Sequence, residues 1–310
     1  MSRKVAFITG ASRGIGKACA IELAAAGFDL AVTARTVKEG EPREHSSTLK
    51  ESDTSALPGS IESTIAEIEK QGAKAFGVAA DLLDPASLGA AVASTLATFG
   101  RIDVVVHNGR YIGPGHMDLF MDTPVELLRK QMEANVFAPL IINQMVIPKM
   151  IEQGGGIIIN ITSGSAYSTP ANPAGKGGYG MGYGMSKGAF QRIAGFINTE
   201  LKDQGVKAFN VQPGLVATER IGQDMAKFGI KNDGCPMEVP AKVVRWLCTE
   251  PASETDKYLY ETIEMQEFCA EKNLLPGWDT PWTPPSGNGG YPDLSAYNSR
   301  RLRNGEKLYS

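Results

Sequence analysis

A single doubly wound α/β domain on a parallel sheet is the fold that this 310-residue sequence predicts. Two observations carry that expectation. Short apolar segments alternate with helix-like ones along most of the chain, the pattern of parallel strands joined by helices and covered on both faces. The first apolar segment, Val5-Ala6-Phe7-Ile8, also runs directly into a glycine-rich turn, Thr9-Gly10-Ala11-Ser12-Arg13-Gly14-Ile15-Gly16, which opens into a helix. Strands are expected near 4–9, 29–34, 74–79, 102–107, 156–161, 206–211 and 258–263, with helices near 15–26, 60–71, 85–99, 123–152, 184–204 and 238–249. Asp84-Pro85 supplies a cap and a first-turn proline for one helix, and Thr123-Pro124-Val125-Glu126 reads as the same device with a capping box. Right-handed crossovers make the doubly wound arrangement the economical topology.

Composition narrows the function classes. A hydrophobic fraction of 42% is enough for a core, and a net charge of −3 gives no reason to expect nucleic acid or a membrane surface as a partner. Cys19, Cys235, Cys248 and Cys269 are scattered without a C-x-x-C pair, so no disulfide framework is indicated. His45, His107 and His116 are equally isolated, and no metal site is expected. The first strand begins at once, no signal peptide is read, and no apolar run approaches the ~20 residues of a membrane helix. The expectation is a soluble, cytoplasmic protein.

A glycine-rich turn between strand and helix exposes backbone N–H groups at a positive helix end, which together hold a pyrophosphate. Far downstream, Tyr183-Gly184-Met185-Ser186-Lys187 opens another helix. The i, i+4 spacing puts tyrosine and lysine on one face, where an ammonium favours the phenolate and makes the phenol a usable acid/base. Tyr167 and Tyr179 are rivals, but Ala171 and Tyr183 stand at their i+4 positions, so Tyr183 is preferred.

The glycine turn together with Tyr183 and Lys187 resembles the short-chain dehydrogenase/reductase family over roughly residues 4–263. The resemblance implies a Rossmann fold and reversible reduction of a ketone or aldehyde to an alcohol by hydride transfer from a nicotinamide, without metal. On that resemblance Ser163, ending the strand Gly156–Ile161, orients the substrate oxygen, Tyr183 gives or takes its proton, and Lys187 tunes Tyr183 while touching the ribose. Asn135 matches the helix asparagine that holds a water in the proton relay. Cofactor contacts fall to Gly10, Ser12, Arg13, Gly14, Ile15, Gly16, Asn108 and Gly109, to Asp81 and Leu82 beside the adenine, and to Pro213, Gly214, Val216 and Thr218 near the nicotinamide. The second strand ends without the carboxylate that would take a ribose 2′-OH. Arg35 stands there instead, with Arg13 in the turn, and two guanidiniums suit a 2′-phosphate. NADP(H) is therefore favoured over NAD(H). Family members commonly associate through the helices read here near 123–152 and 184–204, which implies a homodimer or homotetramer.

The sequence also departs from the family. Its Asn-Asn-Ala-Gly segment is His107-Asn108-Gly109-Arg110 here, with a large cation in place of a small residue. Nineteen residues separate Ser163 from Tyr183, and the glycine-rich stretch 164–182 is expected to make part of the site wall mobile. Residues 36–58 read as an aperiodic, mobile surface insertion, and the aromatic, proline-rich 264–310 as an extension packing on the 1–263 domain or a neighbouring subunit. Two alternatives stand beside the alcohol/ketone oxidoreductase: a non-catalytic cofactor-binding regulator, which loss of Ser163, Tyr183 or Lys187 would have favoured, and an enoyl reductase or epimerase on the same scaffold.

Overall fold

A computed structural model of the protein describes residues 3–222 and 234–278. Seven strands form one parallel sheet: β1 (Val5–Thr9), β2 (Asp29–Ala34), β3 (Ala75–Ala79), β4 (Val104–His107), β5 (Gly156–Ile161), β6 (Val206–Gln212) and β7 (Thr262–Glu264), in the order β3-β2-β1-β4-β5-β6-β7. Strand order reverses at β1 and β4, and the space beyond their carboxyl ends is where doubly wound sheets bind ligands.

The core follows from the two-residue period of a strand. Ala6, Ile8, Val104, Val106, Ile159, Phe209 and Val211 point to one face, and Phe7, Val105, Ile158 and Ala208 to the other. The first face is covered by α1 (Gly14–Ala25) and α2 (Ile61–Lys70), and the second by α3 (Pro85–Phe99). Asp84 caps α3 by accepting from Ala86 N–H at 3.0 Å, with Pro85 at the first turn as read from sequence. Ser60 caps α2 in a reciprocal box with Ser63.

The helix expected over 123–152 is α4 (Val125–Met132) and α5 (Ala138–Glu152) joined by a π turn at Glu133–Phe137. Thr123 does not cap it, because its hydroxyl donates to Leu119 O at 2.8 Å and Pro124 holds the cap position. Contrary to the sequence expectation, Val125–Glu152 is long and apolar enough by length and composition to cross a membrane. Half of that apolar window is buried within the fold, where Ile142, Val146 and Met150 are inaccessible. Beside it lies α6 (Met181–Leu201), which starts three residues earlier than expected, so Tyr183 sits in its first turn. α7 (Glu238–Thr249) then completes the first face.

The last strand is shorter and later than predicted. After α8 (Ala252–Thr255), a 3₁₀ turn at Asp256–Tyr258 takes the first residue of the expected strand, and Tyr258 and Leu259 fill the core instead of a strand face. The extension begins as α9 (Met265–Glu271), and its Phe268 stacks edge-on to Trp246 at 5.0 Å and Tyr258 at 5.2 Å. Leu274, Leu275 and Trp278 pack on the same cluster. Residues 279–310, the rest of the expected extension, lie outside the described residues. Removing a ring from such a cluster leaves a cavity. Phe268→Ala is therefore expected to lower stability by about 3–5 kcal/mol, read as a shift in denaturation midpoint at unchanged slope.

Candidate active site

The glycine turn is built by close approach. Gly10, at φ 64°, has the left-handed backbone that favours glycine. A Cβ on Gly16 would stand 2.4 Å from Gly10 O and 2.5 Å from Asn108 Nδ2. Asn108 occupies that space deliberately, donating from Nδ2 to Thr9 O at 3.1 Å and Gly10 O at 2.9 Å. Thr9 Oγ1 returns the tie by accepting from Asn108 N and Gly109 N at 3.2 and 3.0 Å. Arg13 holds the cap position of α1, with no side-chain cap and no acidic residue in the first turn. The helix N–H groups are left for an anion.

Two adjoining cavities open there. The smaller, about 180 Å³, is lined by Gly10, Ser12, Arg13, Arg35, Asp81, Leu82, Asn108 and Gly109. The larger, about 470 Å³, is lined by Gly14, Ile15, Thr162, Tyr183, Lys187, Pro213, Gly214, Val216 and Thr218, and shares Arg13, Asn108, Arg110 and Arg220 with the first. Sites far apart in sequence thus meet along one groove.

The insertion is a correction to the sequence reading. It lines the smaller cavity through Glu41, Arg43, His45, Ser55 and Leu57, and His45, Ser46, Ser47 and Leu57 are buried. Arg220 Nη2 donates to His45 O at 3.2 Å, Met117 N to Ser47 O at 2.8 Å, and Leu49 N to the Asp118 carboxylate. Arg13 donates to the carbonyls of Leu57, Pro58 and Gly59, and Arg35 to Glu44 O. Arg43, overlooked in the sequence, brings a further guanidinium to this cavity beside Arg13, Arg35, Arg110 and Arg220, and pairs with Glu41 at 2.8 Å. The glycine-rich stretch is likewise stitched down: Gly180 N donates to His116 O at 2.7 Å, and Tyr179 Oη donates to Ser168 O.

Of Tyr183 and its two rivals, Tyr183 is the one whose hydroxyl has no hydrogen bond among the described residues. Tyr167 Oη donates to Glu264 at 2.5 Å and Tyr179 to the Ser168 carbonyl, whereas no hydrogen bond holds Tyr183 Oη among the described residues. Its ring meets the edge of His116 at 4.5 Å, and the Arg110 guanidinium stands 5.5 Å from its centroid. His116, passed over in the sequence as an isolated histidine, is kept neutral by burial and by the charges of Arg110, Arg220 and Lys187, well below its ordinary range. Lys187 is buried and donates from Nζ to Ile161 O at 2.8 Å. Ser163 follows β5 after Thr162, and its Oγ accepts from Ser165 N and Oγ at 3.2 and 3.0 Å. Asn135 lies inside the π turn, a distortion frequent at functional sites. It accepts from Tyr111 N at 2.6 Å and donates to Ser186 Oγ at 2.9 Å. Among the described residues no group of three or more His, Cys, Asp or Glu side chains is placed to hold a metal.

Burial, then Arg110, pushes the Lys187 ammonium down to about 7 from an ordinary 10.5. The unfolded chain binds the extra proton between those values, so this group makes the cofactor-free protein more stable as pH rises through that window. Lys187→Met should flatten that rise, seen by comparing denaturation midpoints of parent and variant at pH about 7 and about 9.5.

With this geometry in view, the chain matches the short chain dehydrogenase family over residues 4–227. It is 31% identical over 215 residues to dehydrogenase/reductase SDR family member 7B of Mus musculus, covering 69% of this chain and 58% of that protein's length. A short chain dehydrogenase from Mycobacterium paratuberculosis bound to NAD superimposes with TM-score 0.64 at 25% identity, covering 82% of this chain and 93% of that one. A metagenomic short-chain oxidoreductase in complex with NADP gives 0.62 at 25%, covering 81% and 93%. The chain belongs to the short-chain dehydrogenases, a family of oxidoreductases.

Proposed function

We propose that the protein is an NADP(H)-dependent oxidoreductase that interconverts a small ketone or aldehyde and its alcohol. The free hydroxyl of Tyr183, beside Lys187 in a cavity continuous with the glycine turn, is the observation that carries this reading. The Gly16 cradle and the uncapped α1 terminus fit a dinucleotide pyrophosphate. The nicotinamide supplies or accepts the hydride when bound. Tyr183 holds the proton that the carbonyl oxygen gains or the alcohol loses. Lys187, in its protonated form beside the phenol, favours the phenolate. Ser163 orients the oxygen, and Asn135 keeps the π turn and Tyr111 in place so that the relay starts from a fixed geometry.

Arg13 and Arg35, facing the smaller cavity, favour the 2′-phosphate of NADP(H). Their side chains also hold the insertion, so they bind cofactor as part of one charged clasp with Arg43. Replacing both Arg13 and Arg35 with alanine should weaken NADPH by about tenfold or more per arginine and leave NADH much less affected. Parallel fluorescence titrations check this, and equal losses for both cofactors would make the arginines structural. Two neighbours bind different dinucleotides, NAD in one and NADP in the other, so this titration decides a point on which relatives differ.

Exposed apolar side chains on the π turn before α5, on α5 and on α6, namely Phe137, Met145 and Phe196, support association of two or four copies through these helices. We place the protein in the cytoplasm, take its catalytic unit as residues 1–263, and let the extension pack on that unit. A panel of ketones and alcohols with both cofactors tests the reading, and turnover of no member would overturn it.

A further inference from the structure

Arg110 is the feature of the site that the proposed reaction leaves unused. It stands where the resembled family has a small residue, and it lines both cavities at their junction. The side chain is half-buried, and its guanidinium lies 5.5 Å from the Tyr183 ring. Its hydrogen bond is from Nη1 to Tyr111 O at 3.0 Å, and among the described residues it forms no ion pair. Glu219, the carboxylate among the described residues lining the larger cavity, lies instead by Gly14 and acts on Arg13. His116 against Tyr183 supplies no counter-charge, since an imidazole carries no negative charge in either protonation state. A planar fork with free donors facing a cavity is the shape that binds carboxylate in two places.

We propose that Arg110 binds the carboxylate of the substrate, so that this enzyme acts on an oxo acid and its hydroxy acid. The proposal rests on the oxidoreductase reading and adds the substrate class to it. The carboxylate takes no part in the redox step. The carbonyl carbon gains a hydride from the reduced nicotinamide dinucleotide, the oxygen gains the Tyr183 proton, and the acid group stays ionised against Arg110. Sequence alone marked this position as a departure, and the structure shows where the cation goes.

Titration separates this proposal from the reaction on which it rests, because binding needs no turnover. Pyruvate, acetoacetate and levulinate, with the methyl ester of each, are titrated into the parent protein and into Arg110→Gln and Arg110→Lys, each saturated with NADP⁺. At least one acid should bind about tenfold or more tighter to the parent than its ester does. Arg110→Gln should bring acid and ester within about threefold, Arg110→Lys should recover part of the preference, and NADPH affinity should move by less than about threefold. The proposal is overturned if no acid binds tighter than its ester, if Arg110→Gln keeps the preference, or if NADPH affinity falls with it, since Arg110 would then serve the dinucleotide. Failure of the oxidoreductase reading shows separately, as absence of turnover across a panel that holds neutral ketones and these oxo acids together.

Discussion

Tyr183→Phe should reduce turnover by about 10²–10⁴-fold while leaving NADPH affinity within a few-fold of the parent. The substitution removes one oxygen and keeps the ring, so the edge contact with His116 at 4.5 Å and the Arg110 stacking survive. No protein group loses a hydrogen-bond partner, because among the described residues none is bonded to that hydroxyl. The loss would therefore fall on proton transfer and not on folding. NADPH oxidation with any accepted ketone, run beside a cofactor titration, checks the expectation. Activity within a few-fold of the parent would remove Tyr183 from the acid role. Tyr167 and Tyr179, already bonded to Glu264 and to the Ser168 carbonyl, would be poor replacements.

Gly16→Val is the second large effect, and it acts on binding. The first carbon added at this position would lie 2.4 Å from Gly10 O, a backbone atom held by Asn108 Nδ2. Neither neighbour can yield without opening the turn between β1 and α1. Overpacking of this kind typically costs about 1–3 kcal/mol, so NADPH affinity should fall by up to about 100-fold. Fluorescence titration measures the affinity, and circular dichroism shows whether the fold is retained. A folded variant that binds NADPH as tightly as the parent would show that the turn does not cradle the dinucleotide. Gly16→Ala, which adds the same first carbon without branching, should show a smaller loss in the same direction.

These two positions were readable from the sequence for a common reason: each depends on neighbours close along the chain. The strand, turn and helix around Gly10–Gly16 are contiguous, and Tyr183 and Lys187 are one turn apart on α6. The strands were equally legible, since runs such as Val104–His107 are buried throughout and bounded by polar residues. What sequence concealed depends on partners far away. The insertion 36–58 has no periodicity because its order comes from Arg220 and Asp118, which lie well over fifty residues downstream. The π turn at Glu133–Phe137 leaves no compositional mark, as its residues are ordinary helix formers with Asn135 among them. The strand predicted at 258–263 begins only at Thr262, because Tyr258 and Leu259 are apolar for the core and not for the sheet. Arg110 was visible as an exception, but only the fold reveals that its charge sits over Tyr183.

Gln266 donates from Nε2 to the carbonyls of Pro213 and Leu215 at 3.0 and 3.1 Å, holding the turn that lines the larger cavity. That bond comes from α9, near the end of the described chain. Synthesis proceeds from the amino terminus, and domains generally fold as units as they emerge. The glycine turn and Tyr183 are made long before the residues that close this wall. A nascent chain halted upstream of α9 would carry Tyr183, Lys187 and the dinucleotide cradle, yet lack the brace on the Pro213–Leu215 turn. The wall of the larger cavity is thus braced by residues made after the cradle and the acid that it faces.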